Sequence, residues 1–315
     1  MGRVLVTGAT GFIGAATVSA LQRAGHEVRA TWHRRAPSAG AGHVDWRRRD
    51  LLQDPGDGPE LFDGVDAVIH LAARAHVTGP GRFFDAPFQR VNALGTRRLA
   101  EQSAHAGVRR FIYLSTVGVH GSESPVVDGM PRPLAAEDPA LPVDAYSRSK
   151  HAAESALRDI CGATAMEFVI LRAPLVFGPG VGGNFLRLLR YLDRGLPLPT
   201  GARPARRTVS FADNLGDAMA TCVTHAGVVN RAFLMGEFDL AVTDLAGRLA
   251  QLLGRPLRTV RVPEWLLLGR PLRSLTTSLL VDAMPFRVAT GWLPATPVES
   301  ALVRTVSWFR GNPWT

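Results

Sequence analysis

Lysine is nearly missing from this chain. Of its 36 basic residues one is lysine, Lys150, and all the others are arginine. Cysteine is scarce as well. Cys161 and Cys222 stand alone, with no CxxC pair and no Cys/His ligand spacing. That excludes a disulfide framework and a zinc site, so no metal is expected, and it fits a reducing, cytoplasmic setting. No run of about 18 apolar residues occurs, which excludes a membrane-spanning helix. The stretch EWLLLG at 264–269 is long enough only to touch a membrane surface or to cap a substrate lobe. The opening MGRVLVTGATG has no long apolar core and no cleavage site, so it reads as a strand running into a glycine turn. Tyrosine is also rare, with three in 315 residues. One of them, Tyr146, lies four residues before the lone lysine in AYSRSK (145–150).

What is present is an apolar content of 46% and a net charge of +9. The first is enough for one large core or a core plus a lobe. The second raises nucleic acid as a partner, but the arginines are scattered, with no RNA-recognition pattern and no basic tail. Anionic small molecules, such as nucleotide phosphates, account for the charge with less strain. Along the first half, β-branched runs at 3–8, 26–32, 66–72 and 109–116 alternate with helical patterns at 12–25 and 91–107. That rhythm predicts an α/β chain built on a doubly wound parallel sheet with right-handed crossovers. Near 174 it breaks into stretches rich in Pro and Gly. Helical patterns at 241–253 and 298–310 then mix with short strands, which predicts a smaller C-terminal α+β lobe.

TGATGFIG sets Gly8, Gly11 and Gly14 at the spacing G-x-x-G-x-x-G, after a predicted strand and at the head of a predicted helix. Glycine removes the Cβ atoms that would block a pyrophosphate. The helix start, at Phe12 and Ile13, offers free N–H groups and a partial positive charge. A nicotinamide dinucleotide is the expected ligand. At the end of the second strand an acid bonds a ribose 2′-hydroxyl, whereas arginine grips a 2′-phosphate. The chain reads T-W-H-R-R at 31–35 with no carboxylate nearby, so Arg34 or Arg35 favours NADP(H) over NAD(H). Asp50 and Leu51, at the expected end of the third strand, are placed to reach the adenine, with Asp50 as acceptor. The alternative for these arginines and for Asp50 is a solvated surface role.

Tyr146 and Lys150 share one face of a predicted helix with Asp144 as its N-cap. A phenol with a pKa near 10 is a poor acid or base at neutral pH. A cation about 4–5 Å away, at an effective dielectric of about 20, is worth about 3–4 kcal/mol. The expectation is therefore a phenol lowered towards working pH, ready to exchange a proton with a carbonyl or alcohol oxygen. Lysine suits this task better than arginine because a compact ammonium can bond ribose hydroxyls while standing by the phenol.

Taken together, Gly8-x-x-Gly11-x-x-Gly14 and Tyr146-x-x-x-Lys150 resemble the extended short-chain dehydrogenase/reductase family, which includes nucleotide-sugar epimerases, dehydratases and keto-reductases. The resemblance runs from residue 3 to about 217. It implies a Rossmann-type fold, with residues 1–176 binding NADP(H), 206–240 returning to that unit, and 177–205 with 241–315 forming the substrate lobe. HLAA (70–73) resembles the cofactor-flanking segment, which brings in Leu71, Ala72 and Ala73. VNALGT (91–96) resembles the element whose asparagine, here Asn92, braces the sheet. LSTVGVHG (114–121) resembles the strand carrying the catalytic hydroxyl, which falls on Thr116 with Ser115 beside it. LRAPLVFGPG (171–180) resembles the exit loop towards substrate and brings in Pro174. By the same resemblance Arg207 would grip a sugar-nucleotide diphosphate and Asn184 would touch substrate. A homodimer through two helices of the cofactor unit is common in the family.

Within that family, HLAARAHV, GNFLRLLRYLDRGLPLP and RRTVSFADN are most similar to the bacterial surface-polysaccharide branch of 4-keto-reductases and 4-epimerases. The arginines at 34 and 35 favour an NADP(H)-dependent reductase of a 4-keto nucleotide (amino)sugar. The alternatives are an NAD-dependent C4 epimerase of a UDP- or lipid-linked amino sugar, or a reductase of a hydrophobic ketone or alcohol. A dehydratase is less favoured, because Val117 and Gly118 stand where an acidic pair would be expected.

Overall fold

Four strands begin within one residue of the β-branched runs at 3, 26, 66 and 109. The computed structural model describes residues 2–34, 36–37, 43–52, 59–75, 85–201, 204–263 and 275–312. Seven parallel strands form its main sheet: β1 (Arg3–Thr7), β2 (Glu27–Trp32), β3 (Val44–Arg48), β4 (Val65–His70), β5 (Arg110–Thr116), β6 (Glu167–Ala173) and β7 (Arg231–Leu234). Their order is β3-β2-β1-β4-β5-β6-β7, so the chain reverses its direction of travel at β1. In such a sheet ligands bind outside the carboxyl ends of the strands, at the point of reversal. The registers Thr7↔His70 and Thr116↔Ala173 bring the ends of the motif strands to that edge.

Alternation along β1 splits its side chains between two cores. Val4 and Val6 face a cluster with Leu21, Leu215, Met219 and Val223. Leu5 faces the opposite one, with Val68, Leu99, Phe111, Leu157 and Ile170. The first face is covered by α1 (Phe12–Arg23); α2 (Gly95–His105) and α3 (Ala145–Gly162) serve the second. α4 (Gly183–Asp193) follows, and then α5 (Ala212–Thr224) joins α1 on the first face. α5 approaches α1 closely because Gly216 has no Cβ, which would lie 2.9 Å from the Ala16 carbonyl carbon. Its last turn is clamped by the buried Arg110, whose Nη1 donates to the carbonyls of Cys222, Val223 and His225 while Nε bonds Glu167 at 2.7 Å. A cation at a helix C-terminus also opposes the helix dipole there.

A third apolar cluster gathers Phe177, Phe185, Leu189, Phe211, Leu249 and Leu302. It packs on a three-stranded sheet in which Arg206–Phe211 lies between Leu175–Phe177, parallel, and Phe238–Ala241, antiparallel. One expected element changes form. The helix predicted over 91–107 starts as a π-helical turn, Gln89–Leu94, before α2, and that turn carries the buried Asn92. No described helix is long and apolar enough to cross a membrane. The stretch 264–269 lies outside the described residues.

Candidate functional site

The glycine turn between β1 and α1 is built for close approach. Gly8 has φ +68°, and a Cβ there would lie 2.7 Å from the Ala72 nitrogen. At Gly14 a Cβ would lie 2.2 Å from the Gly8 carbonyl oxygen. The N-cap of α1 is Gly11, which gives no side chain to the first-turn N–H groups of Phe12 and Ile13. Uncapped donors at the positive end of a helix, with bare backbone around them, fit a diphosphate. The cradle therefore suits the dinucleotide that the family implies.

A buried polar frame holds this turn in place. Thr7 Oγ1 bonds His70 Nδ1 at 2.5 Å and accepts from the Ala72 N–H at 3.3 Å, while His70 Nε2 is 2.9 Å from Thr96 Oγ1. Burial, followed by the Lys150 charge, pushes His70 down to about 3, so it stays neutral. Leu71 adds a backbone bond to the Thr7 carbonyl; Ala73 is exposed beside it. Asn92 accepts from the Arg74 N–H at 2.7 Å and donates to the Arg74 carbonyl and to Ser149 Oγ. The bracing expected of Asn92 thus runs from the loop after β4 to α3.

α3 forms because Asp144 caps it, accepting from the Ser147 N–H at 2.8 Å. Tyr146 and Lys150 share its inner face. The ammonium donates to the Leu114 carbonyl at 2.7 Å and sits 4.5 Å from the centre of the Tyr113 ring. Thr116, at the end of β5, caps the short turn Val117–His120 by accepting from the Gly118 N–H at 3.1 Å. That turn abuts α3, since a Cβ on Gly118 would lie 2.5 Å from Ser147 Oγ. Ser115 points into the buried interior.

The electrostatics correct one expectation. Burial raises the Tyr146 phenol to about 12, with the Asp144 charge as second cause, instead of lowering it. Burial also lowers Lys150 to about 7, against the opposing pull of Glu154. The charge-attraction argument left out desolvation, which in this interior is the largest influence on both groups. Tyr146 is thus a neutral phenol held ready to donate, beside an amine that titrates near neutrality.

At the nucleotide end a second expectation is corrected. No acid neighbours residues 31–35 in the chain, yet the fold sets Asp50 Oδ2 3.3 Å from His33 Nε2. Asp50 also caps its own turn through the Leu52 N–H. The end of β2 therefore does face a carboxylate, delivered by β3. Arg34 is exposed there, and Arg35 lies outside the described residues. Leu51 packs beside Gly95 at the start of α2.

At the other end Arg207 is half-buried, donates to Thr277 Oγ1 at 3.2 Å and is lowered to about 10 by burial, with Glu123 opposing. Pro174 is buried at the junction of β6 with Leu175–Phe177. Asn184 is exposed in the first turn of α4 and accepts from Arg187. Thus Gly8, Gly11, Gly14, Leu71 and Ala72 meet at the cradle, and Asn92 joins the loop after β4 to α3. Thr116 caps the turn that abuts the first turn of α3, the helix that carries Tyr146 and Lys150. Asn184 and Arg207 belong to separate elements nearer the third cluster. Sequence reasoning missed His70, Tyr113, Glu123 and Glu154. Of these, Glu154 alone left a signal, standing four residues beyond the only lysine. Among the described residues no group of three or more His, Cys, Asp or Glu side chains is placed to hold a metal.

Comparison with known proteins bears on the family and the fold. Residues 4–236 match the family described as NAD dependent epimerase/dehydratase. A UDP-glucose 4-epimerase from Vibrio cholerae is 32% identical over 323 residues, covering 97% of this chain and 95% of its own. A 3 beta-hydroxysteroid dehydrogenase/Delta 5→4-isomerase from Mycobacterium tuberculosis is 32% identical over 238 residues, covering 71% of this chain and 61% of its own. The structure of MoeE5 in complex with UDP-glucuronic acid and NAD superposes with a TM-score of 0.81 at 25% identity, covering 99% of this chain and 100% of that one.

Proposed function

The chain belongs to the NAD dependent epimerase/dehydratase family, and from that premise we propose that it interconverts C4 epimers of a UDP-linked hexose or aminohexose with an NAD that stays bound. The observation that carries this reading is the match, over nearly the whole of both chains, to a UDP-glucose 4-epimerase. MoeE5, bound to NAD and a UDP-sugar, supports NAD over the NADP(H) expected from the arginines. The His33–Asp50 pair supports it too, since a carboxylate at the end of β2 suits a ribose hydroxyl and repels a 2′-phosphate.

In this reading residues 1–176 with 206–240 hold the dinucleotide, and 177–205 with 241–315 hold the sugar nucleotide. The bound nicotinamide supplies the hydride acceptor and donor at C4. Thr116 orients the C4 oxygen. Tyr146 takes the hydroxyl proton as the phenolate and returns it as the phenol, and Lys150 stabilises the phenolate before and after that exchange. With the phenol raised to about 12, a small fraction is ionised at neutral pH, and that fraction is a correspondingly strong base. Arg207 grips the diphosphate and Asn184 touches the sugar.

Arg34, exposed at the end of β2, is the one observation that favours the NADP(H)-dependent 4-keto-reductase. The test is incubation with UDP-glucose, UDP-galactose and their N-acetylamino counterparts without added cofactor. C4 epimers should appear, resolved by anion-exchange chromatography, with no net change in nicotinamide absorbance. Consumption of NADPH one-for-one with a 4-keto sugar, without epimerisation, would overturn the proposal in favour of the reductase.

A further inference from the structure

We propose that Glu154 is the counter-ion of the lone ammonium, a positioning residue that Arg172 locks in place and that keeps Lys150 charged and oriented. The inference rests on the reading that Tyr146 and Lys150 carry the reaction.

Tyr146, Lys150 and Glu154 follow one another at intervals of four along α3, so they stack on one face. Glu154 is fully buried, and an ionised carboxylate survives there only if it is paired. Arg172, from β6, supplies a fork: Nε at 3.0 Å and Nη2 at 2.7 Å to the two carboxylate oxygens. Arg158 adds a third donor at 3.1 Å. The remaining nitrogen of Arg172, Nη1, donates to the Ala136 carbonyl at 2.7 Å and to His120 Nε2 at 2.8 Å. A guanidinium only donates, so His120 Nε2 is the acceptor and its Nδ1 carries the hydrogen towards the Pro139 carbonyl. Arg172 thereby ties α3 to the turn Val117–His120, which Thr116 caps. One buried network holds both halves of the candidate catalytic centre.

The simpler alternative is that Glu154 neutralises Arg172 and nothing more. Two guanidiniums bond this one carboxylate, however, and Lys150 stands one helical turn away on the same face, so its charge is shared rather than used up. The groups facing Lys150 are His70 from β4, the Tyr113 ring and Leu114 carbonyl from β5, and Tyr146 and Glu154 from α3. His70 is neutral and Tyr146 is a phenol, which leaves Glu154 as the anion among them. Burial lowers Lys150 to about 7, and the Glu154 charge acts in the other direction.

The lone lysine makes the test direct, because protein carrying ¹³C/¹⁵N-lysine gives one side-chain signal to titrate. In the full-length chain Glu154→Gln should lower the Lys150 midpoint by about one pH unit, a tenfold loss of the charged form at a fixed pH. Arg172→Met, which frees the carboxylate from its competitor, should raise it. Loss of mere scaffolding would lower the melting temperature of both variants without moving the midpoint in opposite senses. If either single variant fails to fold, Glu154→Leu/Arg172→Met, which removes both members of the buried fork together, is titrated instead and should show a lower midpoint than wild type. An unchanged midpoint in the variants that fold overturns the proposal. The titration needs no substrate, so a wrong assignment of the sugar would leave it standing.

Discussion

Replacing Lys150 by methionine should abolish turnover and, on the acid side of neutrality, improve the balance of stability relative to wild type. Lys150 is 3% exposed, and its pKa falls from 10.5 to about 7 on folding. A drop of that size corresponds to about 5 kcal/mol of cost to the charged native state. Between those two values the unfolded chain keeps a proton that the folded chain sheds, so wild-type stability rises with pH across that window. Below pH 7 both states are protonated and the cost is carried in full. Methionine has nearly the same shape, no charge and no proton to exchange. The stability difference between the two proteins should therefore shift towards wild type by about 2–3 kcal/mol from pH 6 to pH 9. Each kcal/mol moves the melting midpoint of a chain this long by about 1.5 °C, so the shift amounts to about 4 °C by calorimetry. A melting difference that stays constant from pH 6 to 9 would refute the claim that this ammonium is held at the cost of desolvation.

Tyr146→Phe should cut turnover at least about a hundredfold and leave NAD affinity almost unchanged, since only proton transfer is lost; equal damage to both, read by single-turnover kinetics and equilibrium titration, would remove the tyrosine from its assigned role. Glu237, pushed up to about 7 by burial despite bonds from Asn214 and the Phe211 N–H, favours its protonated form in the fold. Stability from this group is complete below about pH 4.5 and falls as pH rises to about 7, so Glu237→Gln should remove that part of the decline in denaturant midpoints between pH 5 and 8.

Much of this was legible from local pattern. The glycine spacing of TGATGFIG gave the cradle, and the interval from Tyr146 to Lys150 gave a shared helix face, because both are short-range consequences of backbone geometry. β1, β2, β4 and β5 were legible for the same reason, and β3 through its expected end near Asp50, whereas β6 and β7 were not singled out. What pattern could not supply was depth and distance. The phenol's pKa was misjudged because charge attraction can be written from spacing, while desolvation depends on what the fold stacks above the helix. The carboxylate at the end of β2 was missed because Asp50 arrives from another strand. Arg172 and His120 gave no signal, being joined to Glu154 only by a pairing of β6 with α3 across many residues.

The packing of α5 on α1 sets an order of events during synthesis. The sheet face carrying Val4 and Val6 is completed by Leu215, Met219 and Val223, more than 200 positions later in the chain. A nascent polypeptide that ends before Thr224 thus exposes an oily flank directly behind the glycine turn, and Arg110 has no helix end to clamp. Dinucleotide capture by a ribosome-bound fragment should begin only after α5 has emerged from the exit tunnel, making the far segment a gatekeeper for the nearest one.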